Sequence, residues 1–157
     1  MKIGFGYDSH RFAEGRRLIL GGVEFPGETG RAGHSDADVL IHAIVDALLG
    51  AAALGNIGSH FPDTDSRWKD ADSATLLSSV AQEIAAASYR IVNIDATVIC
   101  ERPKIGPKVE EIRTRLAQIL GLEVSQLSVK GKTNEKMDDV GAGLGIEVHA
   151  VCLIESF

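Results

Sequence analysis

With 157 residues, 45% of them hydrophobic, and a formal net charge of -6, the chain has the size and composition of one soluble globular domain with a core of its own. The acidic balance argues against non-specific nucleic-acid binding, while nucleotide ligands stay open because a small basic pocket does not register in a net charge. There is no uninterrupted apolar run of membrane-spanning length and no basic, apolar leader, so a cytoplasmic location is the expectation. Cys100 and Cys152 each lie in an apolar run, too far apart for a disulfide framework, which fits a reducing compartment.

In chain order, residues 2–10 and 18–25 read as two strands, joined through Gly15 and flanked by Gly21-Gly22 and Pro26-Gly27; they are expected to pair as a hairpin. The first strand ends in Tyr7-Asp8-Ser9-His10. Side chains alternate across a strand, so Asp8 and His10 project from one face and can share a metal. A polar loop leads to a helix whose start is signalled by Ser35 with Asp38 three residues on, an approximate capping box, and which runs to about Ala53. On it Leu40, Ile41, Ile44, Val45, Leu48 and Leu49 form an apolar stripe, with His42 and Asp46 one turn apart on another. His42 offers a third ligand. One Asp and two His with an open fourth position is the donor set of a catalytic zinc site, and Asp46 or Asp38 is expected to take the second ring nitrogen of His42.

The stretch Asn56-Ile57-Gly58-Ser59-His60-Phe61-Pro62-Asp63-Thr64-Asp65 is dense in turn formers and in hydroxyl-binding groups, and reads as a functional loop or an elaborate connection. Asp72 or Ser73 caps a second helix to about Ala87, which reads as purely structural. Residues 89–100 read as a buried strand, followed by a loop through Pro107. Pro107 and Gly121 bracket a third helix. Residues 127–133 and 145–155 supply two more strands, the last alternating at Ile146, Val148, Ala150, Cys152 and Ile154. The pattern β-β-α-α-β-α-β-β predicts an α/β domain of two layers, a sheet covered by helices on one face; a partner subunit is the expected cover of the other.

Two glycine motifs fail as nucleotide signatures. Gly131-Lys132-Thr133 resembles the end of a phosphate-binding loop, but the required first glycine would fall at Gln126 and no clear helix follows. Gly141-Ala142-Gly143-Leu144-Gly145 precedes a strand instead of following one and reads as a flexible turn. Thr133 and Glu135 remain, a hydroxyl and a carboxylate that could hold a hard cation bridging phosphates.

Asp8-x-His10, the run His34-Ser35-Asp36-x-Asp38-x-x-x-His42, Phe61-Pro62-Asp63-Thr64-Asp65, Arg102-Pro103-Lys104 and Thr133-Asn134-Glu135-Lys136 together resemble the 2-C-methyl-D-erythritol 2,4-cyclodiphosphate synthase family over essentially the whole chain. That resemblance implies a single mixed β-sheet in a homotrimer with active sites between subunits. It also implies a lyase that cyclises 4-diphosphocytidyl-2-C-methyl-D-erythritol 2-phosphate with release of CMP, in the non-mevalonate isoprenoid pathway. By the same resemblance Asp8, His10 and His42 hold zinc, and Glu135 holds magnesium or manganese with the nucleotide's phosphates. His34 and Thr133 stabilise the transition state, and Ser35 contacts phosphate. Cys100-Glu101-Arg102-Pro103-Lys104-Ile105-Gly106 hold the cytidine, Lys132-Thr133-Asn134-Glu135 line its phosphates, and Asn56-Ile57-Gly58 with Phe61 to Asp65 recognise the methylerythritol portion, Asp8 and His10 touching substrate as well. The chain departs from the usual pattern in three places. Asn56 stands where most members carry Asp, and Ala142 and Leu144 stand where many bacterial members carry Arg and Glu, so an isoprenoid diphosphate at a trimer axis is expected to bind weakly or not at all.

Overall fold

The structure, a computed structural model, describes residues 1–28, 37–62, 64–68 and 71–157. Its elements in order are β1 (Lys2–Arg11), β2 (Ile19–Leu20), β3 (Val23–Glu24), α1 (Val39–Ala52), α2 (Ile57–His60), α3 (Ser73–Ala86), β4 (Tyr89–Ile99), α4 (Val109–Leu120), β5 (Leu127–Lys132), α5 (Asp138–Gly141) and β6 (Gly145–Ser156). Four strands form one mixed sheet in the order β1-β6-β4-β5. β6 pairs antiparallel with β1 and with β4, and β5 runs parallel to β4. The parallel pair is the one joined by a helical crossover, α4, as a parallel connection requires.

The alternation expected of the last strand is borne out: Ile146, Val148, Ala150, Cys152 and Ile154 are all buried beneath the helices. Helix α1 lies across β1 and β6, α3 packs on α1, and α4 on β5. What lets α1 sit so low is glycine. A Cβ added at Gly4 or Gly6 would fall inside the van der Waals shell of the Ala47 or Ala43 carbonyl oxygen, so helix backbone rests directly on strand backbone. Two and four residues beyond Gly6, on the same face of β1, stand Asp8 and His10.

The expected hairpin between residues 2–10 and 18–25 does not form. β1 is paired over its whole length with β6, from Lys2 opposite Ile154 to Arg11 opposite Gly145. The second segment instead folds on itself: Gly21 and Gly22 have φ of 59° and 74°, the left-handed pair of a two-residue turn, and Leu20 pairs with Val23. Leu18, Leu20, Val23 and Phe25 are buried by this ribbon, and burial of four large side chains outweighs a strand edge that β6 already occupies. The helix start also differs. Ser35 lies outside the described residues, and the N-cap of α1 is Asp38, which accepts from Ile41 N at 3.1 Å. Its carboxylate, fully buried, accepts as well from Gly21 N at 3.0 Å and Gly22 N at 2.8 Å. Three N–H donors stabilise the charge where solvent is absent, and tie the ribbon to α1. In β4 a bulge between Ile91 and Asn93 lets Ile91 and Ile94 both point inward.

On the opposite face Ile3, Phe5, Tyr7 and Val151 are exposed, with the Phe5 and Tyr7 rings 5.8 and 5.1 Å from that of His149. This is the helix-free face of a two-layer arrangement. The glycine contact gives a direct test. Gly6→Ala must push α1 off β1 and is expected to lower the unfolding free energy by about 2–3 kcal/mol, read as a drop in the urea midpoint, whereas Gly106→Ala, where an added Cβ meets nothing within 4 Å and the backbone is not left-handed, is expected to change it far less.

Candidate functional site

Asp8 and His10 from β1 meet His42 from α1, and their ligand atoms all lie within 4.8 Å of one another. Asp8 Oδ2 is 2.9 Å from His10 Nε2 and 3.1 Å from His42 Nδ1, and the two rings are edge to face. Each side chain is between 13% and 26% exposed, buried enough to keep a dry coordination shell and open enough for a ligand to enter. Burial alone would raise the Asp8 pKa, but hydrogen bonds and charge from His10 and His42 overcome it and hold the group at about 2. The carboxylate is therefore ionised at any physiological pH. One hard oxygen and two imidazole nitrogens converging with a side left open fit a divalent metal such as zinc.

The carboxylates expected behind His42 have other partners. Asp38 serves the ribbon and the helix cap, and Asp46 Oδ1 accepts from Ile57 N at 2.7 Å. Burial pushes the Asp46 pKa up, opposed by that N–H, raised further by Asp8 and lowered by His42. The second nitrogen of His42, Nε2, lies 3.1 Å from Ser73 Oγ. Ser73 opens α3, so this helix is not purely structural: its first residue reaches the triad. Sequence reasoning missed Ser73 because Asp72-Ser73 matched a cap signal that Asp72 satisfies, accepting from Ala74 N at 2.9 Å.

Through Asp46, the loop holding Ile57 and Gly58 is moored to α1 one turn beyond His42. Asn56 caps α2, accepting from Ser59 N at 3.0 Å in a full capping box, so the segment read as a functional loop or an elaborate connection contains a turn of helix. Phe61 is buried and edge-on to Trp68 at 4.8 Å. Pro62, Thr64 and Asp65 follow it at the surface; Arg67 engages Asp65 through Nε and Nη2 and holds that carboxyl below its ordinary pKa. Asp63, His34 and Ser35 lie outside the described residues.

A second set gathers elsewhere. Cys100, Pro103, Lys104, Ile105, Gly106, Lys132, Thr133 and Glu135 line one cavity of about 400 Å³, joined by Pro107 and Gly131, read in the sequence as a helix start and part of a rejected phosphate-loop motif. Gly131 is required there, because a Cβ would meet Ile105 Cβ at 2.9 Å. Thr133 Oγ1 donates to Glu135 Oε1 at 3.0 Å. Glu135, Lys136 and Asp138 take positive φ of 52°, 62° and 58°, a strained turn of the kind that aims functional groups. Glu101 accepts from Lys136 N, and Asn134 donates to Asp138, so both brace this turn; Arg102 lines the neighbouring surface beside Phe25 and Glu28. Cavity and triad share no residue. Both lie at the end of the sheet where β1, β4 and β5 finish, the triad at the β1 edge and the cavity at the ends of β4 and β5; the two edge strands are three strand spacings, about 14 Å, apart.

Comparison with known proteins adds an independent line. The profile of the YgbB family matches residues 1–155. A 2-C-methyl-D-erythritol 2,4-cyclodiphosphate synthase of Salinibacter ruber is 56% identical over 156 residues, covering 99% of this chain and 99% of its own. Among solved structures, the bifunctional IspDF of Campylobacter jejuni superposes with a TM-score of 0.96 at 36% identity, over 99% of this chain and 42% of that one. A CDP complex of IspF from Plasmodium falciparum superposes at 0.87 with 36% identity, over 99% of this chain and 96% of that one.

The depressed Asp8 pKa sets a pH signature. Its folded value lies below the ordinary 3.8, so its contribution to stability is complete above about pH 4 and is lost as pH falls toward 2. In chelator-treated protein, urea midpoints of the wild type should therefore fall over this range more steeply than those of Asp8→Asn, while the difference between the two stays constant from pH 5 to 4.5.

Proposed function

The chain belongs to the YgbB family of 2-C-methyl-D-erythritol 2,4-cyclodiphosphate synthases, and from that premise we propose that residues 1–157 act as one catalytic domain that cyclises 4-diphosphocytidyl-2-C-methyl-D-erythritol 2-phosphate and releases CMP. The observation that carries the reading is the placement of Asp8 Oδ2 between His10 Nε2 and His42 Nδ1, in a chain that also builds the Thr133–Glu135 turn.

In this reaction the substrate's own 2-phosphate attacks the β-phosphorus in line, so no protein nucleophile is needed and the work is positioning and charge neutralisation. Zinc at the triad, and magnesium or manganese at Glu135, supply Lewis-acid neutralisation of phosphate charge when bound. Asp8, His10 and His42 hold the first cation and Glu135 the second. The Thr133 hydroxyl, 3.0 Å from Glu135, fixes that carboxylate and, with His34, steadies the transition state; Ser35 takes a phosphate. The cavity from Cys100 to Gly106 receives cytidine through largely apolar walls and backbone groups, with Lys132 and Lys104 at its mouth to favour phosphate. The moored loop at Asn56, Ile57 and Gly58, with Phe61 to Asp65, receives the methylerythritol hydroxyls. Asn56 can accept such a bond only through an uncharged oxygen already engaged by Ser59 N, which predicts a looser hold there than an Asp gives.

We place this chain in a homotrimer. What supports it is the separation of triad and nucleotide cavity on opposite sheet edges: a closed ring lets the β1 edge of one subunit meet the β5 edge of the next. It also covers Ile3, Phe5, Tyr7 and Val151, which are exposed on the helix-free face.

The test is a product assay with zinc and magnesium in water enriched in heavy oxygen. Cyclic diphosphate plus CMP without label in the cyclic product is expected; labelled, ring-opened product would refute the reading in favour of hydrolysis. The assembly has its own assay. His42→Ala and Glu135→Ala are each expected to be inactive, yet unfolding and refolding them together should restore roughly a quarter of the activity, the chance that an intact triad faces an intact cavity in randomly mixed rings. No recovery on mixing would place both halves of the site in one chain.

A further inference from the structure

Among the described residues only two polar side chains are fully buried, Asp38 and Ser73. Asp38 is accounted for by three backbone N–H groups. Ser73 is not accounted for by capping, since Asp72 performs that task, and a fully buried hydroxyl at the first position of a helix is costly without a matched partner. The imidazole of His42 is such a partner, and its two nitrogens face chemically different groups: Nδ1 faces Asp8 Oδ2 at 3.1 Å and Nε2 faces Ser73 Oγ at 3.1 Å.

The two contacts cannot keep the same sense in every state. An ionised carboxylate only accepts, so when the ring is neutral and no metal is bound the Asp8 contact requires the proton on Nδ1, which leaves Nε2 bare and Ser73 as donor. A metal held at the triad takes the lone pair of Nδ1, so the ring proton must then sit on Nε2 and Ser73 must accept. A backbone carbonyl or a carboxylate behind His42 could satisfy only the second arrangement. A hydroxyl satisfies both, by turning about its Cβ–Oγ bond.

We infer that Ser73 is the positioning residue of the metal centre, a two-way hydrogen-bond partner that lets neutral His42 carry its proton on Nδ1 before metal enters and on Nε2 afterwards. The ring neither gains nor loses a proton: the one on Nδ1 leaves as the metal arrives, and Nε2 takes one up. The inference rests on the metal reading of the triad, and goes beyond it by assigning the tautomer exchange and the residue that permits it. It also gives α3 a functional role, because the first turn of that helix, anchored by Asp72, sets where the hydroxyl stands.

Imidazole nitrogen NMR of the full chain, labelled at histidine and held near pH 8, where an ordinary imidazole is neutral, reads both halves. In the metal-free protein His42 is expected to be protonated at Nδ1 and bare at Nε2, and addition of zinc should exchange the two. Zinc competition titration supplies the second readout: Ser73→Ala is expected to weaken zinc by ten- to a hundredfold, with Ser73→Thr, which keeps the hydroxyl, restoring most of it. A residue with only a packing role would lower the thermal midpoint of Ser73→Ala and leave zinc affinity and tautomer unchanged. That result, or a wild-type His42 already protonated at Nε2 before zinc, would overturn the inference. Should Ser73→Ala fail to fold, the wild-type spectra with and without zinc decide it. Wild-type protein that takes up no zinc would refute the metal reading itself, an outcome distinct from zinc-binding protein whose Ser73→Ala variant binds equally well.

Discussion

The backbone contact between α1 and β1 is the constraint on which the site depends. Most helices rest on a sheet about 10 Å above it through interlocking side chains, and small side-chain changes alter that spacing by an ångström or more. Here the spacing is set by atoms that cannot vary: the Cα hydrogens of Gly4 and Gly6 face the carbonyl oxygens of Ala47 and Ala43. His42 precedes Ala43, and Asp8 follows Gly6 by two residues. The 3.1 Å separation of His42 Nδ1 from Asp8 Oδ2 thus follows from main-chain packing a few bonds away. A metal site tolerates errors of only a few tenths of an ångström, and a rigid strand under a rigid helix supplies that accuracy where a loop would not.

Charge is arranged around this contact in a graded way. Asp8, flanked by two imidazoles, is held at about 2; Asp46, one turn along α1, is pushed upward by burial and by Asp8 itself. Two carboxylates on neighbouring elements are therefore shifted in opposite directions, the one at the triad downward and the one behind it upward. Asp46 has a mechanical duty, the bond to Ile57 N, which ties the loop after α1 to the same helix that carries His42. The loop is thereby anchored to the helix that also carries His42.

The far edge of the sheet carries a different kind of site. Around Thr133 and Glu135 positive-φ residues and a close-packed glycine create a turn whose shape depends on main-chain conformation, and its cavity walls are mainly apolar or backbone. One edge thus gathers three side chains that fit a cation, and the other a cavity of about 400 Å³ walled mainly by apolar groups and backbone. The strand order places one at the β1 edge and the other at the β4–β5 end of the same sheet, the arrangement on which the proposed ring rests.

How much of this was legible depended on the range of the interaction concerned. Asp8 and His10, two apart in a strand, share a face whatever else the chain does, and the alternation in β6 and the Pro107–Gly121 bracket of α4 are equally local, so all were readable from spacing. The family motifs, five short runs in order, carried recognition because they sample the chain from end to end. The hairpin expected between the first two strand-like segments was misjudged because strand pairing is a competition between distant segments, and only the folded chain shows that β6 takes the whole length of β1 while Gly21-Gly22 turns the second segment inward. Ser73 was hidden for the same reason: a serine beside an aspartate at a helix start looks like a cap in any sequence, and its bond to His42, thirty-one residues away, exists only because α3 packs on α1. The sequence by itself determined which residues could ligate a cation and where the long helices and the long strands β1, β4 and β6 would run, since those follow from side-chain chemistry and local periodicity. The tertiary structure alone decided which partner each of those groups received, because burial against a distant element sets whether a carboxylate caps a helix, moors a loop or faces a metal.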